Sequence, residues 1–407
     1  MVGLVLCLAL LPPDKAAAGN PEPPGEGTIR IAQYNAALSR NGAGVLLGDI
    51  LDRDAQVLEV ARIILLAAPD ILLINEFDRD GGGAALDAFA ALLADGIEGV
   101  PRVDDLAGIA YPYRLQPMSN TGRPSGLDID GDGRGAGETL RPADAWGYGT
   151  FPGQYAMAVL SRLPLGPARS WRRLPWATMP GALRPVLPDG ERLHDDTTWA
   201  ALRLSSKTHL AAPIALPGGS SVTLIAAHPT PPVFDGPADR NGRRNHDEIR
   251  LISEILDDAA WLIDDDGAWG GIAPGALVIV AGDLNADPAD GDARRAALTG
   301  LLTHPRLQDP RPTSPGARQV AAIQGGANAH HQGDAALDTA DWRDDPGPGN
   351  LRVDYVLPDA RLEVTGAGIY WPSFGTRGDT VNRADTRHGR VNKASDHRLV
   401  WVDIRLP

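Results

Sequence analysis

The strongest constraint on this chain's fold is a set of short apolar runs, each stopping at an acid, an amide or an imidazole. Ile71-Leu72-Leu73-Ile74 runs into Asn75-Glu76, and the run 277–280 leads into Gly282-Asp283-Leu284-Asn285. The run 221–228 ends in His228. Apolar residues at successive positions suit strands covered on both faces. Helical patterns lie between them. Over residues 48–67, Leu51, Ala55, Leu58, Ala61, Ile64 and Leu65 share one face, and Pro69 ends the pattern. Strands that alternate with helices indicate an α/β fold. Loops at the carboxyl ends of such strands are where open sheets place their active sites.

The spacing predicts strands over 28–34, 70–76, 108–115, 155–161, 198–204, 221–228, 277–280, 352–357, 362–370 and 399–404. Helices are expected over 48–67, 84–93, 241–264 and 293–302. Long polar, Gly- and Pro-rich insertions fall near 116–150, 162–195 and 309–349, and loops of that length are usually functional or stapled. No repeat and no composition break interrupts 28–407, so one domain is the simplest reading.

Acids exceed bases by 52 to 38, a net charge of −14. That argues against gripping nucleic acid over a broad surface, although a local basic site remains compatible with it. The single cysteine, Cys7, excludes an intrachain disulfide and a cysteine-based metal site. The apolar run Val2–Leu11, followed by Ala16-Ala17-Ala18-Gly19, looks like a secretory signal over residues 1–19, with a Pro/Gly linker over 20–27. A secreted or periplasmic protein is expected. No segment suggests a stable membrane anchor, and nothing points to an obligate protein partner.

Asn35, Glu76, His228, Asp283, Asn285, Asp354, Asp396 and His397 each end or flank an apolar strand. All are types that bind hard cations or move protons. The pieces Gln33-Tyr34-Asn35, Ile74-Asn75-Glu76, Ala158–Pro164, Ala227-His228-Pro229, Gly282–Asn285, Val353–Val356 and Ser395-Asp396-His397 stand in an order and spacing that resemble the endonuclease/exonuclease/phosphatase superfamily. The resemblance covers about residues 28–407. It implies a deoxyribonuclease I-like, four-layer αββα sandwich of two mixed sheets with helices outside. It also implies a metal-dependent phosphoester hydrolase acting by in-line attack of water.

Charge that builds on phosphate oxygens is met by a divalent ion such as Mg²⁺ or Mn²⁺, which takes oxygen ligands. Glu76, Asn35 and Asp396 are the expected metal residues. By the resemblance, Asp283 orients or deprotonates the attacking water, and Asn285 holds the phosphate or the nucleophile. His397 contacts the phosphate or carries a proton, and Asp354 fixes its tautomer. His228 is a second imidazole that could protonate the leaving oxygen.

Two features exceed this set. Asp128-Ile129-Asp130-Gly131-Asp132-Gly133 reads equally as the opening of a structural Ca²⁺ loop or as an acidic turn; Thr139 stands where an EF-hand would need Glu. Basic residues gather in loops: Arg172 and Arg173 between Trp171 and Trp176, and Arg243 and Arg244 with Asn245 and His246. Arg243 and Arg244 are candidates to reach a substrate phosphate, and the Trp-Arg-Arg-Leu-Pro-Trp loop is a weak candidate for touching lipid. His330-His331 with Asp334, Asp338 and Asp341 is a weaker metal candidate. The expected substrate is a phosphoester: a nucleic acid, a phospholipid head group or a small organic phosphate. Diesters stand ahead of monoesters such as inositol or sugar phosphates. An inactive binding module of the same fold is the rival reading.

Overall fold

The computed structural model describes residues 21–98, 106–134, 141–374 and 394–406. The expected signal segment and the EF-hand position Thr139 lie outside the described residues. In chain order the strands are β1 (Thr28–Leu38), β2 (Ile71–Phe77), β3 (Tyr113–Leu115), β4 (Met157–Ser161), β5 (Arg169–Ser170), β6 (Leu210–Ala215), β7 (Ser221–Ala227), β8 (Leu277–Asp283), β9 (Ala340–Asp341), β10 (Asn350–Leu351), β11 (Asp354–Pro358), β12 (Val364–Ile369) and β13 (Val400–Arg405). The helices are α1 (Val45–Leu51), α2 (Ala55–Ala67), α3 (Ala84–Asp95), α4 (Asp196–Ala201), α5 (Arg240–Leu256), α6 (Arg295–Leu302) and α7 (Pro315–Gln324).

Two mixed sheets form, in the orders β12-β13-β1-β2-β4-β3 and β11-β8-β7-β6-β5. Each has one parallel pair, β1 with β2 and β7 with β8. Side chains alternate faces along a strand. Ile29 and Ile31 of β1, Ile71 and Leu73 of β2, and Ile279 and Ala281 of β8 therefore face into one core between the sheets. Leu72, Ile74 and Tyr34 face the other way, onto α2 and α3. Val278 and Val280 face Ile249, Ile252 and Ile255 of α5. This is the expected αββα sandwich. Each apolar side chain taken out of water contributes about 1.5–3 kcal/mol.

Five expectations need correcting. The helix expected over 241–264 stops at Leu256, because Asp258 takes a positive φ. The helix over 48–67 is two helices, because Arg53 takes a positive φ and Asp54 starts α2 by accepting from the Gln56 and Val57 N–H groups. The strand over 198–204 is instead the short helix α4, capped by Asp195 accepting from Thr198 N–H at 2.6 Å. The missing strand is β6, which Pro213 disguises in the sequence. The 309–349 insertion is not plain loop; it carries α7, capped by Ser314, and β9, which pairs with β10 just beyond it.

Candidate active site

The inward alternation that builds the inter-sheet core continues into polar residues at one end. After Ile29 and Ile31 come Gln33 and Asn35; after Leu73 comes Asn75; after Ala281 comes Asp283. All four polar residues are buried. Register brings them level. Asn35 pairs with Asn75 across β1 and β2, and Asp354 pairs with Asp283 across β11 and β8. The chemistry-bearing residues thus cap the sandwich core.

Asp283 is the focus. Its Oδ2 accepts from Asn35 Nδ2 at 3.0 Å and from Asn285 Nδ2 at 3.5 Å. The Nε2 atoms of His228 and His397 lie 3.4 and 3.8 Å from the same oxygen. Its Oδ1 accepts from the Asn285 backbone N–H at 2.9 Å. Burial alone would favour the neutral acid, but His397, His228 and Asn35 outweigh it and hold the carboxyl well below the usual range.

His397 donates from Nδ1 to Asp354 Oδ2 at 2.8 Å, which turns Nε2 toward Asp283. Burial opposes the charged ring, yet the carboxylates of Asp354 and Asp283 keep it protonated well above its ordinary range. Asp354 is itself raised by burial. Gln33 Nε2 donates to Asp354 Oδ1 at 3.0 Å and to Asn75 Oδ1 at 2.8 Å. His228 is the opposite case. Burial, and then the Lys207 ammonium, lower it to about 4, so its ring is neutral near pH 7. Its Nδ1 is buried with no protein partner.

Glu76 and Asp396 meet beside this cluster. Burial first, then the Asp396 charge, raise the Glu76 carboxyl. Ser39 Oγ donates to Glu76 at 3.3 Å and Trp342 Nε1 donates to Asp396 at 3.1 Å; neither acid is in an ion pair among the described residues. Two neighbouring carboxylates with no ion pair among the described residues fit a hard divalent ion, and Asn35 Oδ1, which accepts from Ala37 N–H at 3.2 Å, is a further oxygen. Glu76 and Asn285 take positive φ values of 57° and 51°, strain of the kind held at functional sites. Asp283, Asp354 and His397 also offer ligand atoms within 4.8 Å of one another. The ring is engaged by a carboxylate on each side, however, and that arrangement suits proton chemistry better.

The remaining candidates lie elsewhere. Arg243 donates to the carbonyl oxygens of Ala238 and Arg184, and Arg244 to those of Leu204, Trp146 and Arg203, so their donors face backbone rather than the acid cluster. Asp128, Asp130 and Asp132 do come within 4.8 Å of one another. Asp128 accepts from the Gly131 and Gly133 N–H groups, and Arg141 pairs with Asp132 at 2.6 Å. Trp171 and Trp176 are fully buried, which removes the lipid-touching reading of their loop. Asp334 pairs with Arg318, Asp341 with Arg398, and His331 donates to Pro348 O, so the weaker metal candidate is not assembled.

Sequence reasoning missed three residues here. Lys207 is buried, its Nζ donates to Pro229 O at 3.3 Å, and Asn285 Nδ2 donates to the same oxygen at 3.1 Å. Among the described residues no carboxylate pairs with Lys207, although Glu248, Glu76 and Asp283 act on its charge against the burial that lowers its pKa. Thr339 Oγ1 accepts from the Val353 and Asp354 N–H groups at 2.9 and 3.0 Å. Trp342 sets its ring edge-on to His397, with centroids 5.5 Å apart. None belongs to an apolar period or a motif, so no pattern marked them.

The sequence matches the Endonuclease/Exonuclease/phosphatase family over residues 32–397. The chain belongs to that family. Among solved structures it is similar to an endonuclease/exonuclease/phosphatase from Beutenbergia cavernae DSM 12333, at 19% identity and a TM-score of 0.50, over 93% of this chain and 72% of that one. It is also similar to sphingomyelinase C from Streptomyces griseocarneus, at 16% identity, a TM-score of 0.45 and coverages of 92% and 99%. The human nocturnin catalytic domain with bound sulfate gives 15% identity, 0.44, and 93% of each chain. No curated protein matches the chain.

Proposed function

We propose that this family member is a metal-dependent phosphoester hydrolase, with diesters preferred to monoesters. The observation that carries the reading is the convergence of four side-chain nitrogens on Asp283 Oδ2 beside Glu76 and Asp396, which have no ion pair among the described residues. Asp283 stays ionised and orients the attacking water. Asn285, whose Nδ2 is held by Pro229 O and Asp283, leaves Oδ1 to accept from the attacking water. His397 carries the proton at Nε2 while Asp354 fixes its tautomer. His228, kept neutral by burial, positions Asp283 and offers Nδ1 to the substrate; this favours His397 over His228 as the proton carrier. The Lys207 ammonium faces the phosphate and offsets charge developing on its oxygens. Glu76, Asn35 and Asp396 would hold Mg²⁺ or Mn²⁺, which supplies Lewis-acid stabilisation of that charge. Export is part of the proposal and rests on the Val2–Leu11 run and the small residues after it.

Hydrolysis of bis(p-nitrophenyl) phosphate and p-nitrophenyl phosphate tests this, with EDTA, Mg²⁺ and Mn²⁺ arms. The reading expects metal-dependent diester cleavage. Monoester preference would move the substrate to sugar or inositol phosphates, and turnover unaffected by EDTA would overturn the metal role.

A further inference from the structure

The basic loop between Trp171 and Trp176 is not absorbed by the catalytic centre. Both tryptophans are core, but the arginines between them join others. Asn120, fully buried, accepts on Oδ1 from Arg203 NH1 at 2.6 Å and from Arg172 NH1 at 3.3 Å. Two guanidinium groups therefore share one neutral oxygen. Arg203 also lies 4.5 Å above the Trp146 ring. Arg123 stands in the same strip, since its carbonyl accepts from the Trp146 N–H at 3.0 Å; among the described residues its Nη2 meets only the weak acceptor Met118 Sδ at 3.7 Å. Arg173 adds a fourth charge at the rim.

Among the described residues, the one carboxylate that pairs with any of these four is Asp265, 3.7 Å from Arg172 and 3.6 Å from Arg173. A chain of net charge −14 thus gathers four arginines around one acid. The Arg172 side chain is only 14% exposed. Half-buried like charges are costly unless an opposite charge offsets them. Burial, and then the neighbouring arginines, lower Arg203 to about 10; burial lowers Arg172 too, with Asp265 acting against it.

We propose that Arg123, Arg172 and Arg203 form an anion-binding site that takes a phosphate group, separate from the one undergoing hydrolysis. Planar guanidinium forks match phosphate oxygens in pairs. Position supports the assignment. The Asn120 N–H donates to Lys207 O at 3.0 Å, and Lys207 shares the Pro229 carbonyl with Asn285. The backbone that carries the seat is thus tied directly to that of Lys207. Free phosphate and a second phosphate on an extended substrate both have the right chemistry.

The test is thermal unfolding in EDTA, with sodium phosphate or pyrophosphate against chloride at equal ionic strength, so that it needs no hydrolysis. Wild type and Lys207→Met should gain several degrees in phosphate, whereas Arg203→Gln and Arg123→Gln should lose most of that gain. Arg123→Gln covers the case in which Arg203→Gln folds poorly. A kinetic arm separates the sources. A 3′-phosphate on thymidine 5′-(p-nitrophenyl phosphate) should lower KM by about tenfold in wild type but not in Arg203→Gln, the scale of one charge-assisted hydrogen bond. Phosphate stabilisation without that KM effect assigns the seat to free phosphate. No phosphate-specific stabilisation, or the same gain in both arginine variants, overturns the proposal.

Discussion

Asp283 concentrates more on one atom than any other group in the site. Four side-chain nitrogens converge on Oδ2, so its loss would unseat Asn35, Asn285 and both imidazoles at once. Asp283→Ala and His397→Ala should each remove about 99% of hydrolysis, at the lower end of what general acid–base groups contribute. Circular dichroism should show both variants folded; near-wild-type rates in both would displace the assigned centre. Lys207 is predicted to behave differently. Among the described residues its buried ammonium has one carbonyl partner, so Lys207→Met should keep or raise the Tm while cutting kcat/KM by about 10²-fold, the cost of losing one preorganised charge stabiliser. A lower Tm with unchanged kinetics would make Lys207 structural. The strand-end residues could be read from the sequence because each interrupts an apolar run. Lys207 could not, because Ser-Ser-Lys-Thr-His carries no period and no motif.

Between elements, the site depends on ties that the sequence conceals. Thr339, just before β9, uses one hydroxyl oxygen to accept two N–H groups at the start of β11, and so aims Asp354 at His397. Thr339→Val should leave both amides unpaired, at about 1–3 kcal/mol each. Urea unfolding should show the loss, and kcat should fall more than KM changes. Unchanged unfolding would refute the tie. His209, just before β6, holds α5 to the second sheet: its ring lies 2.8 Å from Glu248 O through Nε2 and 2.7 Å from Ser205 Oγ through Nδ1. Burial lowers its pKa, so the folded ring stays neutral where the unfolded one, near 6.5, takes a proton. The unfolded state then binds more protons, and stability present above about pH 6.5 falls as pH drops below it. His209→Gln should reduce the fall of Tm between pH 7 and 5, to which His228 also contributes; an identical slope would remove His209 as a source. Strand periodicity revealed β1, β2, β7 and β8, which carry the site. It concealed β6 behind Pro213 and gave residues 198–204 to a strand, because the Asp195 cap is a single side chain.

Across the whole molecule, the two sheets place one polar end on an otherwise apolar core, and that end holds the acids. The αββα layering was legible because alternation and order survive long insertions. The contents of the insertions were not, because α7 and β9 rest on capping and on contacts distant in sequence. In the proposed mechanism Glu76 and its neighbours hold a hard divalent ion against a phosphoester. The most direct measurement is bis(p-nitrophenyl) phosphate hydrolysis titrated with Mg²⁺, for wild type and Glu76→Gln. The account predicts no rate in EDTA, a saturable rise in wild type, and a rise in Glu76→Gln shifted to higher Mg²⁺ and partly restored there. An equal loss in Glu76→Gln at every Mg²⁺ concentration, or a wild-type rate untouched by EDTA, would contradict it.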